Sequence, residues 1–189
     1  FWAKLEFFGK EIIIQGDIKG TDLIGKFAKA PHTEQEIPIF EAEFVESGMG
    51  TGLVMSVPAH APKDYQALMD LKSKNHELAS KIEPIPIIVT EGYGNIPAKD
   101  VCERLGVTDQ VDAKLEEATE ELYLKEFVNG KLNEKCGDFV NEKVEFGRNK
   151  VRDWLKDKNQ LESFPTLQNA PIQCRCGCEC VVKVLNNQW

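Results

Sequence analysis

The residues predict a mixed α/β (α+β) chain in which an antiparallel, barrel-like β unit is decorated by helices. Two observations carry that prediction. Over the first sixty residues, short apolar runs alternate with turn residues; after Pro58 the apolar spacing changes to that of a helix. The 189 residues, 42% of them hydrophobic, can bury a core of one compact domain with an appended segment. The expected boundaries are residues 1–130 for the domain and 131–189 for a connective segment, which ends in a Cys-rich hairpin over 172–189.

In chain order, Gly9 and Lys10 separate a run from Trp2 to Phe8 from a run over Glu11 to Gln15, which predicts a hairpin. Gly16 to Thr21 reads as a turn, Leu23 to Lys29 as a strand and Pro31 to Glu34 as a loop. Glu36 to Val45 follows as a strand bent at Pro38, then the Gly48 and Gly50 turn, then a strand over Gly52 to Val57. Pro62 suits a first helical turn, and Tyr65, Leu68, Met69 and Lys72 keep helical spacing, so a helix runs from Pro62 to Lys74. Ile85 to Thr90 reads as an edge strand and Pro97 to Leu105 as a short helix. A longer helix, capped by Thr108 or Asp109, carries Val111, Leu115, Ala118 and Leu122 on one face and stops at Gly130. Lys131 to Cys136 reads as loop. A last helix begins near Asn141 with Val144, Val151, Trp154 and Leu155 as its apolar stripe, and Ser163 to Pro171 connects it to the hairpin around Gly177.

Charge and composition narrow the function classes. A formal net charge of -8 opposes sequence-independent wrapping of nucleic acid, because phosphate neutralisation requires a basic surface. Any RNA contact is expected to be local. With charged residues at 29%, the chain is far from a disordered composition. No run approaches the roughly 18 apolar residues of a membrane span, so no membrane partner is expected. Phe1 stands where a start Met would, and Val181 to Trp189 has no closing turn, so both ends read as cut from a longer chain.

The strand-to-helix junction Pro58-Ala59-His60-Ala61-Pro62-Lys63-Asp64 is the first chemical candidate. Such junctions gather outward N–H groups and loop side chains. Asp64 falls in the first helical turn, where the helix dipole favours a carboxylate, and a vacant carboxylate oxygen can accept from a ligand ammonium. The residues alone leave a second reading open: Asp64 complements the helix end for about 0.3–1 kcal/mol, and His60 satisfies a neighbouring carbonyl. Met55 and Val57 alternate along the preceding strand, as core or as pocket wall. His32 and His76 read as solvated. No serine elbow, Gly-rich phosphate loop or zincin motif is present.

The second candidate is the run Cys174, Cys176, Cys178 and Cys180. Zinc pairs normally come as C-x₂₋₄-C. In an extended strand four alternating thiols would span about 20 Å, against ligand bonds of about 2.3 Å. A sharp turn at Gly177 would let some of the four, with an outside ligand, hold zinc; the other reading is a hairpin of free thiols. Cys102 and Cys136 stand apart, and this uneven placing points to a reducing, cytoplasmic setting rather than a disulfide scaffold.

The segment Thr51-Gly52-Leu53-Val54-Met55-Ser56-Val57-Pro58-Ala59-His60-Ala61-Pro62-Lys63-Asp64-Tyr65 resembles the editing-site motif of leucyl-tRNA synthetases of the archaeal and eukaryotic type. Valyl and isoleucyl enzymes share its Thr-Gly start and Asp-Tyr end but not its centre. The similarity continues through Leu23-Ile24-Gly25-Lys26, Glu91-Gly92-Tyr93-Gly94, Val151-Arg152-Asp153-Trp154-Leu155, Cys174-Arg175-Cys176-Gly177 and Gln188-Trp189, and so covers essentially the whole chain.

This resemblance implies a β-barrel editing (CP1) domain inserted into a class I catalytic domain. The activity it implies is hydrolysis of the ester joining a wrong amino acid to the terminal adenosine of tRNA(Leu). Asp64 would anchor the α-ammonium group and is the expected catalytic-site carboxylate, while Met55, Val57, His60 and Tyr65 would line the substrate pocket. The implied partners are the 3′ end of mischarged tRNA(Leu) and the catalytic domain of the same synthetase. Editing needs no cofactor on this reading. Zinc belongs to the cysteine hairpin alone, and ATP and Mg to the full-length ligase. Two family features are not in the chain: the threonine-rich peptide that forms the facing pocket wall, and the His-x-Gly-His and Lys-Met-Ser-Lys-Ser motifs of the synthetic site. The expectation is a fragment that carries one half of an editing site.

Overall fold

The structure, a computed structural model, describes residues 11, 13, 16, 18–30, 35–45, 52–163, 172–178, 180, 182 and 184. Its core is helical. Helix α1 (Pro62–Ser73), the one-turn α2 (Glu77–Ser80), α3 (Pro97–Leu105), α4 (Lys114–Asn129) and α5 (Val144–Asp157) follow two short strands, β1 (Phe27–Lys29) and β2 (Glu36–Pro38). Strand β3 (Ile88–Val89) lies before α3, and β4 (Lys131–Leu132) lies between α4 and α5.

Prolines open two of these helices at their first positions, Pro62 in α1 and Pro97 in α3, where the missing N–H costs nothing. Helix α3 ends on Gly106 in the left-handed region at φ 63. Helix α4 begins later than expected, at Lys114, because Asp112 rather than Thr108 or Asp109 accepts from its first N–H, at 2.9 Å. The Asp112 carboxyl also accepts from the Thr108 N–H, and these bonds hold it below the usual carboxylate range. Val111 thereby falls outside the helix and is exposed. Helix α5 likewise starts at Val144, since Asn141 has a positive φ of 64.

Helices α1, α3 and α4 pack on one another around Tyr65, Ala98, Val101, Cys102, Leu115, Ala118 and Leu122, with Met69, Tyr93, Ile96 and Leu105 closing the edges. Glu121 staples α3 to α4. It pairs with Arg104, with Lys125 at 2.9 Å and with the Tyr93 hydroxyl at 2.9 Å. Those partners, Lys125 foremost, hold its carboxyl down to about 2.

Among the described residues the sheets are two antiparallel pairs, β1 with β2 and β3 with β4, and no closed barrel is formed. The β3–β4 pair carries the chain across residue 130. Gly130 permits this closeness, because a Cβ there would press on the Glu126 carbonyl and come within 2.7 Å of Ile88 Cγ2. Strands shorter than expected account for much of the difference. Leu23 is part of a 3₁₀ turn (Gly20–Leu23), so the Leu23 to Lys29 strand shrinks to Phe27–Lys29. Glu36 to Val45 is a strand only as far as Pro38. Residues 52–57 make no strand either. The Val57 N–H bonds a carboxylate, and its carbonyl accepts from both His60 and Ala61, so a tight turn consumes the groups that a ladder would need. Lys131 to Cys136, expected as loop, holds β4 and the first half of a 3₁₀ turn (Glu134–Phe139). His76 is only partly solvated: it caps α2 by accepting from Ala79 and meets the Phe40 ring edge-on at 5.1 Å. The Trp2 to Phe8 run, the Pro31 to Glu34 loop with His32, and the Gly48 and Gly50 turn lie outside the described residues. No helix is long and apolar enough to cross a membrane among them.

Candidate active site at the strand-to-helix junction

Residues 57–64 form a closed unit. The Val57 carbonyl accepts from the N–H groups of His60 at 2.9 Å and Ala61 at 3.0 Å, which bends the chain back before α1. Asp64 is in the first turn of α1 and reaches back across seven residues to accept from the Val57 N–H at 2.6 Å. The Ala59 carbonyl accepts from the Ala98 N–H at 3.0 Å and docks the turn on the start of α3.

Asp64 is 6% exposed, and burial raises its carboxyl above the ordinary value, with the Val57 bond pulling the other way. One carboxylate oxygen is taken by Val57; the other makes no hydrogen bond among the described residues. Such a carboxylate has strong reason to pair with a cation. Close by on α4, Tyr123 has its phenol raised first by burial and then by the charges of Asp64 and Glu126.

His60 is 5% exposed, and both ring nitrogens are engaged. Its Nε2 accepts from the N–H of Ile87 at 2.9 Å and of Ile88 at 3.3 Å, and its Nδ1 donates to Glu126 Oε1 at 2.7 Å. Amide N–H groups only donate, which fixes the tautomer with hydrogen on Nδ1. The expectation that His60 satisfies a carbonyl gives way to a three-way contact between the turn, β3 and α4.

The structure brings Val57, His60 and Asp64 together. Met55 is 58% exposed on the segment before the turn. Tyr65 points into the core, where burial first, then Glu103, Cys102 and Asp100, raise its phenol. Glu126 is the member that sequence reading missed. Its signal was present, since Leu115, Ala118, Leu122 and Glu126 follow one another at helical spacing and all are buried. Cys102 offers no competing nucleophile: burial pushes its thiol up to about 11, far from thiolate at neutral pH.

Around Gly177, at φ 83, the Cys174 N–H bonds the Cys178 carbonyl and the Cys180 N–H bonds the Ile172 carbonyl. The sulfurs of Cys174, Cys176 and Cys178 lie within 4.8 Å of one another, and the first two are joined as a disulfide. Reduced, three thiolates at that separation would suit a thiophilic ion. Cys180 is not part of the cluster.

Residues 11–84 match the family model for the leucyl-tRNA synthetase editing domain. Curated relatives cover nearly the whole chain. Leucine–tRNA ligase of Methanococcus aeolicus is 40% identical over 186 residues, which is 98% of this chain and 19% of the relative. That of Methanocaldococcus jannaschii is 43% identical over 187 residues, with the same two shares. The chain thus spans about a fifth of the length of the relatives it matches. Among solved structures, GlLeuRS-CP1 superposes with a TM-score of 0.67 at 30% identity, covering 80% of this chain and 63% of that one. The editing domain of P. falciparum cytosolic leucyl-tRNA synthetase superposes with a TM-score of 0.70 over 78% of this chain and 52% of that one; at 22% identity it supports the fold alone. Over nearly its whole length the chain is thus similar to a part of leucine–tRNA ligases, and over residues 11–84 to the leucyl-tRNA synthetase editing domain.

Proposed function

We propose that this chain carries the substrate-anchoring half of an editing site that hydrolyses the ester of mischarged tRNA(Leu). The observation that carries the reading is Asp64: a buried carboxylate with one oxygen fixed by Val57 and the other without a hydrogen bond among the described residues. The α-ammonium group of an esterified amino acid supplies the missing cation. Asp64 anchors that group, Met55 and Val57 line the approach to it, and His60 keeps the turn in place.

In the reaction a water oxygen adds to the ester carbonyl carbon, and the tetrahedral intermediate then breaks its bond to the ribose oxygen. The departing oxygen takes up the proton that water gave up. Positioning and stabilisation of the oxyanion supply the acceleration, and no strong side-chain base is required if the adjacent ribose hydroxyl assists. A second sieve of this kind answers a physical limit, because one methylene yields only about 1–3 kcal/mol of discrimination at a synthetic site. The remainder of the synthetase would supply the facing wall of the pocket and the synthetic site, with ATP and Mg serving the latter.

The test is deacylation of mischarged tRNA(Leu) by the full-length synthetase carrying Asp64→Ala. The reading expects loss of deacylation with leucylation retained. Parental deacylation in that variant overturns it.

A further inference from the structure

Glu126 is the buried acid of α4, one turn after Leu122 on the apolar face. We propose that Glu126 is a positioning residue of the editing site, holding the turn over residues 57–62, and Asp64 with it, through the imidazole of His60. The inference rests on the editing reading above.

The geometry is a chain of short contacts with no slack. Glu126 and His60 side chains are 5% and 7% exposed and meet at 2.7 Å. With its Nδ1 hydrogen directed at Glu126, the ring has only Nε2 left to accept from Ile87 and Ile88, so α4, β3 and the turn are tied through one side chain. No ring nitrogen remains to take a proton from water or to hold a substrate. His60 therefore acts through what it braces. Its own N–H and that of Ala61 bond the Val57 carbonyl, and the Val57 N–H bonds Asp64, so the residue that the ring fastens to α4 and β3 is two hydrogen bonds from the anchor.

Glu126 is itself held. Its carbonyl accepts from the Gly130 N–H at 2.8 Å, and the bare Gly130 lets Ile88 close over it. Tyr123, one turn earlier, has its phenol raised first by burial and then by the charges of Asp64 and Glu126. Sites of this kind work only when a supporting shell fixes the contacting group to within about 0.5 Å.

The experiment uses the full-length synthetase and two substrates: the mischarged aminoacyl ester and its α-hydroxyacyl counterpart, which lacks the ammonium group. The readout is the ratio of their kcat/KM values. Asp64→Ala sets the ratio of an enzyme without its anchor. A misplacement of about 1 Å can cost on the order of 100-fold, so Glu126→Ala is expected to lower the ratio by about tenfold or more, towards that of Asp64→Ala. Glu126→Gln, whose amide oxygen still accepts from Nδ1, is expected to rescue most of it. A role in folding alone would slow both substrates equally and leave the ratio at the parental value, which overturns the inference. If Glu126→Ala does not fold, Glu126→Asp, one methylene short of the ring, carries the same comparison. An unchanged ratio in Asp64→Ala sinks the anchor reading and this inference together; a change there with none at Glu126 sinks this inference alone.

Discussion

Replacing Gly130 by alanine tests the packing that seats Glu126. Gly130 has φ -68 and ψ 146, a conformation open to any L-residue, so the substitution adds no backbone strain. Its cost comes from contact alone. The new methyl would press on the Glu126 carbonyl oxygen and lie 2.7 Å from Ile88 Cγ2 and 3.1 Å from the Glu126 carbonyl carbon. Two of these neighbours are backbone of the last turn of α4 and cannot swing aside, so that turn must open and the Ile88 side chain of β3 must give way. Overpacking of this kind costs about 1–3 kcal/mol. For a chain of this size each kcal/mol shifts Tm by about 2–4 °C, which predicts a Tm lower by about 2–12 °C in thermal unfolding followed by circular dichroism. Gly20→Ala is the control. Gly20 opens an exposed turn with nothing within 4 Å of a Cβ, and its change should stay within about 0.5 kcal/mol. If Gly130→Ala melts with the parent, or no lower than Gly20→Ala, the close approach of α4 to β3 is wrong.

Two further outcomes concern the faces of α4 and the cysteine cluster. Leu122→Ala, at a side chain 0% exposed in the core, should cost about 2–5 kcal/mol, whereas Leu124→Ala, 66% exposed on the same helix, should cost no more than about 0.5 kcal/mol; denaturant unfolding of both reverses the assignment of the α4 faces if the order is inverted. Under reducing conditions with zinc supplied, elemental analysis should find bound metal that is lost in Cys174→Ser, because three thiolates within 4.8 Å can share one ion; folded, metal-free protein would end that reading.

Helices were legible in the residues because periodicity and end signals agreed. Pro97 to Leu105 has a proline at its first turn and a glycine after its last, and the helix runs over those residues. The long helix was visible from Leu115, Ala118 and Leu122, but its start was misplaced by four or five residues because three nearby groups, Thr108, Asp109 and Asp112, could each cap it. The strands were harder. A run such as Gly52 to Val57 has β composition, yet whether it pairs depends on where distant backbone arrives, and here a local carboxylate claims the Val57 N–H first.

Of the site, Asp64 and the junction could be read from proline and helix position. The engagement of His60 could not, since its partners Ile87, Ile88 and Glu126 are 27, 28 and 66 residues away. Tyr65 shows the converse. Its place in the motif suggested the pocket, while its helical register with Leu68 and Met69 puts it in the core.

The central claim is that the Asp64 charge holds the ammonium of the misattached amino acid. Asp64→Asn isolates that charge, because the amide oxygen can still accept from the Val57 N–H and so preserve the turn. A charge-assisted hydrogen bond contributes about 1.5–3 kcal/mol, equivalent to about 10- to 150-fold in rate. The deciding measurement is kcat/KM for deacylation of mischarged tRNA(Leu) by full-length Asp64→Asn synthetase. The account predicts a fall of that size with parental leucylation and Tm no lower than the parent; an unchanged kcat/KM contradicts it.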